Sequence, residues 1–157
     1  MTAPAQSPAA KIPGPDHPIS IAPEGRRVTV RFAGQVVAET NRALALKEAS
    51  YPPVLYIPRG DAVLAHFAAT EKRSYCPYKG DCSYFTLRAG GQAAENAAWS
   101  YATPYDAVRQ IAGHLAFYPD TRLPLVRLDE RLLKQALMNL LLNAVQAMEG
   151  RPGSQLF

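Results

Sequence analysis

Proline is the residue that most restricts the folds open to this chain. The sequence has 14 prolines in 157 residues, and they recur from Pro4 to Pro124 with one more at Pro152. Proline lacks an amide hydrogen and clashes with the preceding helical turn, so it ends helices. The distribution of the prolines leaves little room for a long helix before the C-terminal part of the chain. It favours short strands joined by turns.

The clearest strand pattern begins in the segment RVTVRF (27–32), where apolar and polar residues alternate. Alternation of this kind predicts a strand with one buried face. Gly34 then supplies the turn of a hairpin into QVVAET (35–40). The segment RALALKE (42–48) alternates again and places Glu48 on the same side as two leucines.

The next two segments carry less regular signals. YPPVLYIP (51–58) is apolar but bounded by prolines, which predicts an edge strand or a short segment. Asp61 is then expected to cap a short helical turn through AVLAHF (62–67).

Two more strands are predicted at SYFTLR (83–88) and NAAWSY (96–101), separated by the turn signal AGG (89–91). A short helix is expected in PYDAVRQIAG (104–113), and a last strand in HLAFYP (114–119). Six or seven short strands at close spacing predict a mainly β fold, a compact antiparallel curled sheet or small barrel with short helical turns.

This β domain is assigned to residues 19–121, and the flanking segments have different compositions. Residues 1–18 are rich in proline and alanine, which predicts a disordered leader. After the β domain we expect a join at 122–127, an amphipathic α-helix at 128–149 and a tail at 150–157.

The C-terminal helix is predicted from apolar side chains at helical spacing, with Asp129 as its N-cap and Gly150 as its end. Each large apolar side chain contributes about 1.5–3 kcal/mol when buried, so this face is expected to pack on the β domain or on a second copy of the chain. The residues expected to mediate self-association are Leu133, Leu137, Leu140, Leu141 and Met148.

The net charge of +4 and the pI near 9.2 raise the question of nucleic-acid binding. The basic residues are spread along the chain among acidic ones, and the densest groups are the pairs Arg26-Arg27 and Lys72-Arg73. Binding of phosphates needs positive charge gathered on one face, so no nucleic-acid partner is expected.

The longest apolar stretch, ALMNLLLNAVQAM, is too short and too rich in amides to span a bilayer, so no membrane association is expected. The N-terminal residues lack the apolar core of a signal peptide. Two cysteines in a chain with no secretion signal are expected to be reduced. These observations predict a cytoplasmic protein.

The stretch SYCPYKGDCSY concentrates residue types used in chemistry, but it fits none of the common sites. Cys76 and Cys82 are six positions apart, whereas zinc sites and redox pairs usually use CxxC, so no metal is expected. Lys79 precedes Gly80, the reverse of a phosphate-binding loop. Two interpretations remain open: a turn made by Pro77 and Gly80, or the wall of a ligand pocket.

Six segments occur in the order typical of one family: HPISI, RVTVRFAGQVVAET, RALALKEASYPPVLYIP, YCPYKGDCSYF, AENAAWSYATPY and IAGHLAFYPD. Over about residues 17–120 the chain therefore resembles a bacterial family catalogued as domain of unknown function 427, which also carries a nucleotidyltransferase-like label. The resemblance implies a compact β-rich cytoplasmic domain and no particular reaction. The label finds no support here, because the glycine–serine loop and paired carboxylates that hold two metal ions are missing.

The segments of this resemblance are polar and aromatic, which favours a ligand pocket with aromatic walls and Lys79 as an anchor for an anion. Glu48 shares a strand face with leucines, so it needs a cationic partner, for which Lys79 and Arg42 are the candidates. The residues predicted to line the pocket are Glu48, Lys79, Tyr84, Trp99, Tyr101 and His114.

The segment LDERLLKQALMNLLLNAVQAM is similar to the first ATP-box helix of sensor histidine kinases. The similarity aligns Asn139 and Asn143 with the two asparagines of that helix, the second of which helps to hold the magnesium of ATP. A phosphoacceptor histidine segment and the glycine-rich boxes are missing. The similarity therefore predicts a kinase fragment without kinase activity, which a truncated gene fusion, a frameshift or a gene-model error would each produce.

Three functions are consistent with these features. The first is a small cytoplasmic β-domain protein that acts as a ligand-binding or interaction module for a small anionic ligand, with no cofactor. The second is an enzyme that acts on a small anionic or nucleotide-like substrate through Lys79, Glu48 and His114. The third is a truncated remnant of a sensor histidine kinase fusion.

Overall fold

A computed structural model describes residues 9–118 and 125–127 of the chain, and the fold is mainly β as predicted. Three short 3-10 helices join the strands, at Arg59–Asp61, Leu64–His66 and Asp106–Ile111. The strands of this part of the chain are β1 (Ile19–Pro23), β2 (Val28–Phe32), β3 (Gln35–Thr40), β4 (Leu44–Glu48), β5 (Val54–Pro58), β6 (Phe67–Cys76), β7 (Gly80–Ala89), β8 (Gln92–Ser100), β9 (His114–Phe117) and β10 (Leu125–Arg127).

The strands form two antiparallel sheets. The large sheet has seven strands in the order β1-β4-β5-β9-β8-β7-β6, and the small sheet has the order β10-β2-β3. The outer strands of the large sheet, β1 and β6, do not pair with each other, so the sheet is open and curled. Of the two predicted architectures, the curled sheet is therefore the one that forms.

Each face of the large sheet carries a buried cluster, because alternate residues of a strand point to opposite faces. In β5, Leu55 and Ile57 belong to the main core, which lies against the small sheet, whereas Tyr56 belongs to a second cluster. In β7, Phe85 and Leu87 join the main core and other residues of the strand join the second cluster. The second cluster lies on the face that carries the candidate site.

The hairpin of β2 and β3 has the predicted two-residue turn. Ala33 and Gly34 have φ angles of 51° and 75°, and Phe32 pairs with Gln35. Two positive φ angles define the turn that best matches the twist of the flanking strands, which is why a glycine occurs there. Gly90 and Gly91 join β7 to β8 in the same way, with φ angles of 56° and 72°.

Three local predictions differ from the structure. Of the two alternatives predicted for 51–58, β5 is the short segment, with five residues, and it is not an edge strand, because it lies between β4 and β9. Pro52 and Pro53 precede it and Pro58 is its last residue, so no proline lies in its middle. Asp61 ends a 3-10 helix instead of capping a following one, and its carboxylate accepts hydrogen bonds from Thr40 (2.6 Å) and Arg42 (2.9 Å).

The third concerns residues 67–76, which were predicted as part of a helical turn followed by an unassigned segment. They form β6, at the edge of the large sheet, and several of its polar residues are exposed. An edge strand with few buried residues lacks the alternating pattern by which strands are recognised in a sequence.

The predicted leader, residues 1–18, contacts the domain in the part that the structure describes. The amide of Lys11 donates a 2.8 Å hydrogen bond to the carbonyl of Pro77, and Gly14 forms an antiparallel bridge with His17. We call residues 9–18 the N-terminal strap. It lies against the turn between β6 and β7.

At the other end of the chain, β10 pairs with β2 and falls inside the predicted join at 122–127. The predicted helix at 128–149, its apolar contact residues and its similarity to histidine kinases lie outside the described residues. None of the helices within residues 9–118 is long and apolar enough to cross a membrane.

Candidate functional site

A cavity of about 210 Å³ opens on the second face of the large sheet. Strands β4, β5, β7 and β8 form its floor, and the turn between β6 and β7 forms one wall. The cavity is lined by Leu46, Glu48, Tyr51, Pro52, Val54, Tyr56, Lys79, Cys82, Tyr84, Trp99, Tyr101 and Tyr118.

Five of the six predicted pocket residues line this cavity: Glu48, Lys79, Tyr84, Trp99 and Tyr101. The sixth, His114, does not. It pairs with Pro58 at one end of β5, whereas Val54, at the other end of that strand, lines the cavity. The Nδ1 of His114 lies 3.1 Å from the carbonyl oxygen of Ala112, so this ring contacts its own loop.

Lys79 reaches the cavity because a tight turn holds its backbone. The Lys79 amide donates to the carbonyl of Cys76 at 3.2 Å, and the Lys79 carbonyl accepts from the amide of Tyr105 at 3.0 Å. Gly80 follows with a φ of 102°, which a residue with a side chain rarely adopts. The turn predicted for this stretch is thus present, and it also presents the lysine of the predicted pocket.

The Lys79 ammonium forms an ion pair with Glu48 Oε2 within the cavity, although Lys79 is only 8% exposed. The other candidate partner, Arg42, pairs instead with Asp61 on a separate surface, with 2.9 Å between Arg42 Nη2 and Asp61 Oδ1. The sequence left both cations open as partners of Glu48, and the fold selects Lys79 because the β6–β7 turn lies across the end of β4.

Glu48 has a second partner that the sequence did not indicate. The Nε2 of His17 lies 2.9 Å from Glu48 Oε1, so each carboxylate oxygen contacts a different residue. Burial raises the pKa of Glu48, but the hydrogen bonds from Lys79 and His17 outweigh it, and the net pKa is lowered from its ordinary value. Glu48 is therefore ionised at neutral pH.

His17 is held in place by the turn that carries Lys79. Its ring stacks on Tyr78 with 4.0 Å between centroids and 9° between planes, and Lys11 Nζ lies 5.9 Å from the centroid of the same tyrosine ring. His17 lies in a proline-rich segment and 31 residues before Glu48, so no local pattern pointed to it. The available signals were the segment HPISI of the family resemblance, which begins with His17, and the unmatched need of Glu48 for partners.

Three tyrosines of the cavity have a raised pKa and stay protonated at neutral pH. Burial raises the pKa of Tyr56 and of Tyr101 well above the usual range, and burial also raises the pKa of Tyr84 to about 12. Tyr84 exchanges a 2.8 Å hydrogen bond with Ser74, and Tyr56 also interacts with the Trp99 indole. Several phenols that stay protonated suit a ligand with acceptor oxygens.

Cys76 and Cys82 do not form a disulfide bond with each other. Cys82 is buried in the cavity wall, and burial raises the pKa of its thiol, which makes it a poor nucleophile at neutral pH. Cys76 is partly buried, and Lys79 Nζ lies 3.9 Å from its sulfur. Within residues 9–118, no three His, Cys, Asp or Glu side chains group to hold a metal ion.

The cavity brings polar and aromatic side chains together. Its polar groups are one ammonium, one carboxylate and several neutral phenols. Its aromatic wall includes Trp99 and Tyr118, whose ring centroids are 4.5 Å apart. Such a set can orient a small ligand through a few polar contacts while aromatic rings cover its apolar part.

The sequence was also compared with known proteins. The model of a family described as "Domain of unknown function (DUF427)" matches residues 20–130, which include all the strands except the start of β1. No curated protein matches the chain.

Proposed function

We propose that this chain, which belongs to the family described as domain of unknown function 427, is a ligand-binding domain for a small organic anion. The observation that carries the proposal is the Lys79 ammonium, 8% exposed, in a cavity walled by tyrosines and Trp99. Placing a charged lysine in a partly closed site costs free energy that a purely structural wall would avoid. A binding role accounts for that placement.

The size of the cavity limits the ligand. Sites for drug-sized molecules measure about 300–1,000 Å³, and this cavity measures about 210 Å³. A compact acid with one ring or a short chain fits this volume better than a nucleotide does. The size therefore argues against the nucleotide-like substrate that the family label suggests.

The geometry favours binding over catalysis. The enzyme hypothesis needed Lys79, Glu48 and His114 together, but His114 lies at the far end of β5. Lys79 and Glu48 engage each other, and the Cys82 thiol has a raised pKa. The described part of the cavity thus presents polar groups for recognition without an activated nucleophile.

A thermal-shift and calorimetry screen tests the proposal, with benzoate, 4-hydroxybenzoate, acetate, inorganic phosphate and AMP as probes. A ligand present at a concentration of 100 times its Kd raises the free energy of unfolding of the protein by about 2.7 kcal/mol. A change of this size is visible as a shift of the melting curve. We expect a monocyclic carboxylate to stabilise the wild type, and inorganic phosphate and AMP to have no effect.

The informative variant is the double substitution Lys79→Met with Glu48→Gln, because it removes both charges and leaves neither unpaired. We expect it to lose the ligand-induced shift. Arg42→Gln is the matched control, since it breaks an ion pair of the same type on another surface, and it should keep the shift. If no anion stabilises the wild type, or if the double variant responds equally, the proposal is wrong.

We also propose that the protein resides in the cytoplasm. Cys76 and Cys82 are free thiols, as expected in a reducing compartment. Cell fractionation against cytoplasmic and secreted marker proteins tests this, and recovery of the chain with the secreted markers would contradict it.

A further inference from the structure

The net charge of the cavity determines how costly it is to bind an anion there. Of the described residues that line the cavity, Lys79 and Glu48 are the only charged ones, and they pair with each other. The lowered pKa of Glu48 keeps it ionised, so the pair has no net charge. An added anion would leave the partly buried site with one uncompensated negative charge, which is costly.

His17 can remove this cost. It contacts Glu48 Oε1, whereas Lys79 contacts Oε2, so the carboxylate already has two independent partners. The imidazole gains a positive charge near neutral pH, unlike any other ordinary side chain. Protonated His17 can hold Glu48 as an ion pair and leave Lys79 for a second anion.

We propose that the cavity binds a small monocarboxylate together with one proton, which His17 takes up. This inference rests on the proposed function and specifies its ligand and its pH dependence. In this scheme the free site contains one ammonium, one carboxylate and an imidazole that has not yet taken up the proton. The bound site contains the ammonium paired with the ligand carboxylate, and Glu48 paired with the imidazolium, so the site is neutral in both states.

The other groups around His17 allow this change of charge. Tyr78 stacks on the ring, and an aromatic face tolerates a cation. The ammonium of Lys11 lies over the same tyrosine ring, 5.9 Å from its centroid. Glu48, in direct contact at 2.9 Å, is the group whose charge favours protonation.

The choice of a monocarboxylate follows from the single cation and the aromatic wall. One ammonium balances one negative charge, so a phosphate dianion would again leave the site negative. Lys79 already accepts a carboxylate, that of Glu48, as its partner. Trp99 and Tyr118, whose centroids are 4.5 Å apart, provide a surface for a flat apolar group.

Calorimetry with benzoate and its neutral analogue benzamide tests the inference, over pH 6 to 9 and in buffers of different ionisation enthalpy. We expect benzoate binding to take up about one proton, and its affinity to fall about tenfold per pH unit toward alkaline pH. Benzamide brings no charge, so its binding should take up no proton and should not depend on pH.

His17→Gln keeps a hydrogen-bond donor toward Glu48 but cannot be protonated. We expect this variant to bind benzoate weakly at all pH values, with no proton uptake. His66→Gln is the matched control, because His66 binds the carbonyl of Arg88 at 2.8 Å outside the cavity, and it should retain the wild-type pH dependence. Melting curves without ligand confirm that both variants are folded.

The outcomes separate the two proposals. If benzoate binds without proton uptake, or if His17→Gln keeps the pH dependence, the inference is wrong and the proposed function stands. If benzamide shows the same pH dependence as benzoate, the charge argument is also wrong. If neither benzoate nor the other carboxylates of the screen bind at any pH, both proposals fail.

Discussion

The imidazole of His17 lies flat on the phenol ring of Tyr78, with 4.0 Å between centroids and 9° between planes. This contact joins the N-terminal strap to the turn that carries Lys79. The same imidazole also contacts Glu48 on β4. One side chain therefore connects three parts of the chain around the mouth of the candidate site.

The first prediction concerns this connection. His17→Ala removes both the stack and the hydrogen bond to Glu48, so the N-terminal strap should open more often. Hydrogen exchange of the Lys11 amide reports the opening, because that amide donates to the Pro77 carbonyl at 2.8 Å. We expect its exchange to accelerate, with a loss of about 1–2 kcal/mol in the free energy of unfolding.

His66→Ala is the control for the first prediction, since that histidine contacts the Arg88 carbonyl away from the strap. It should leave the exchange of the Lys11 amide unchanged. Equal acceleration in both variants would show that His17 has no special role in holding the strap.

The second prediction concerns acid stability. Burial opposes ionisation of Glu48, but its bonds to Lys79 and His17 lower its pKa below the ordinary value of 4.5. A carboxyl whose folded-state pKa is depressed stabilises the protein above its unfolded-state pKa, and that stability is lost as the pH falls through the folded-state pKa. The loss due to Glu48 therefore begins as the pH drops below about 4.5.

Glu48→Gln, which keeps the size and an acceptor oxygen, should flatten this acid branch. Urea unfolding at pH 7, 5, 4 and 3 gives the comparison with the wild type. Asp61→Asn should flatten it as well, because hydrogen bonds from Arg42 and Thr40 lower the pKa of Asp61. A Glu48→Gln protein that loses stability as steeply as the wild type would show that the ionised Glu48 carboxylate does not contribute to the acid branch.

The third prediction grades three glycine-to-alanine substitutions. Gly90 has a φ of 56°, and an added Cβ would lie 3.1 Å from both the Cβ and the carbonyl oxygen of Ala33. Alanine at this position therefore suffers both backbone strain and a close contact with Ala33. Gly91 has a φ of 72° and open space around it. Gly60 has open space and no positive φ.

Alanine in the left-handed region costs about 1–2 kcal/mol. We expect the free energy of unfolding to fall by about 2–3 kcal/mol for Gly90→Ala and by about 1 kcal/mol for Gly91→Ala. Gly60→Ala should cause no loss, because alanine reduces the conformational entropy of the unfolded chain. Urea unfolding midpoints at pH 7 measure the series. Equal losses at Gly90 and Gly91 would mean that the approach of Ala33 adds nothing.

The sequence allowed the large features of the fold to be predicted because they depend on local patterns. Alternation located β2 and β4, and the glycine turns located the hairpins. β6 was missed because an edge strand buries little and so has no clear period. The prolines that bound β5 predicted an edge strand or a short segment, and its internal position could not be predicted because it depends on pairing with β4 and β9.

The site was predictable to the extent that its residues lie on strands with a recognisable face. Glu48 stood out as a carboxylate among leucines, and Lys79 as a lysine before the glycine of a turn. His17 could not be found in this way, because its role comes from a contact across 31 residues. His114 looked similar to a site residue in the sequence, but strand pairing places it beside Pro58.

The two contacts of Glu48 also bear on the order in which the molecule folds. Each of them joins residues 31 positions apart, so each closes a long loop. Closing long loops costs entropy, and such contacts form after the local hairpins. We therefore expect the cavity to form late on the folding pathway, and a ligand held there to act mainly by slowing unfolding.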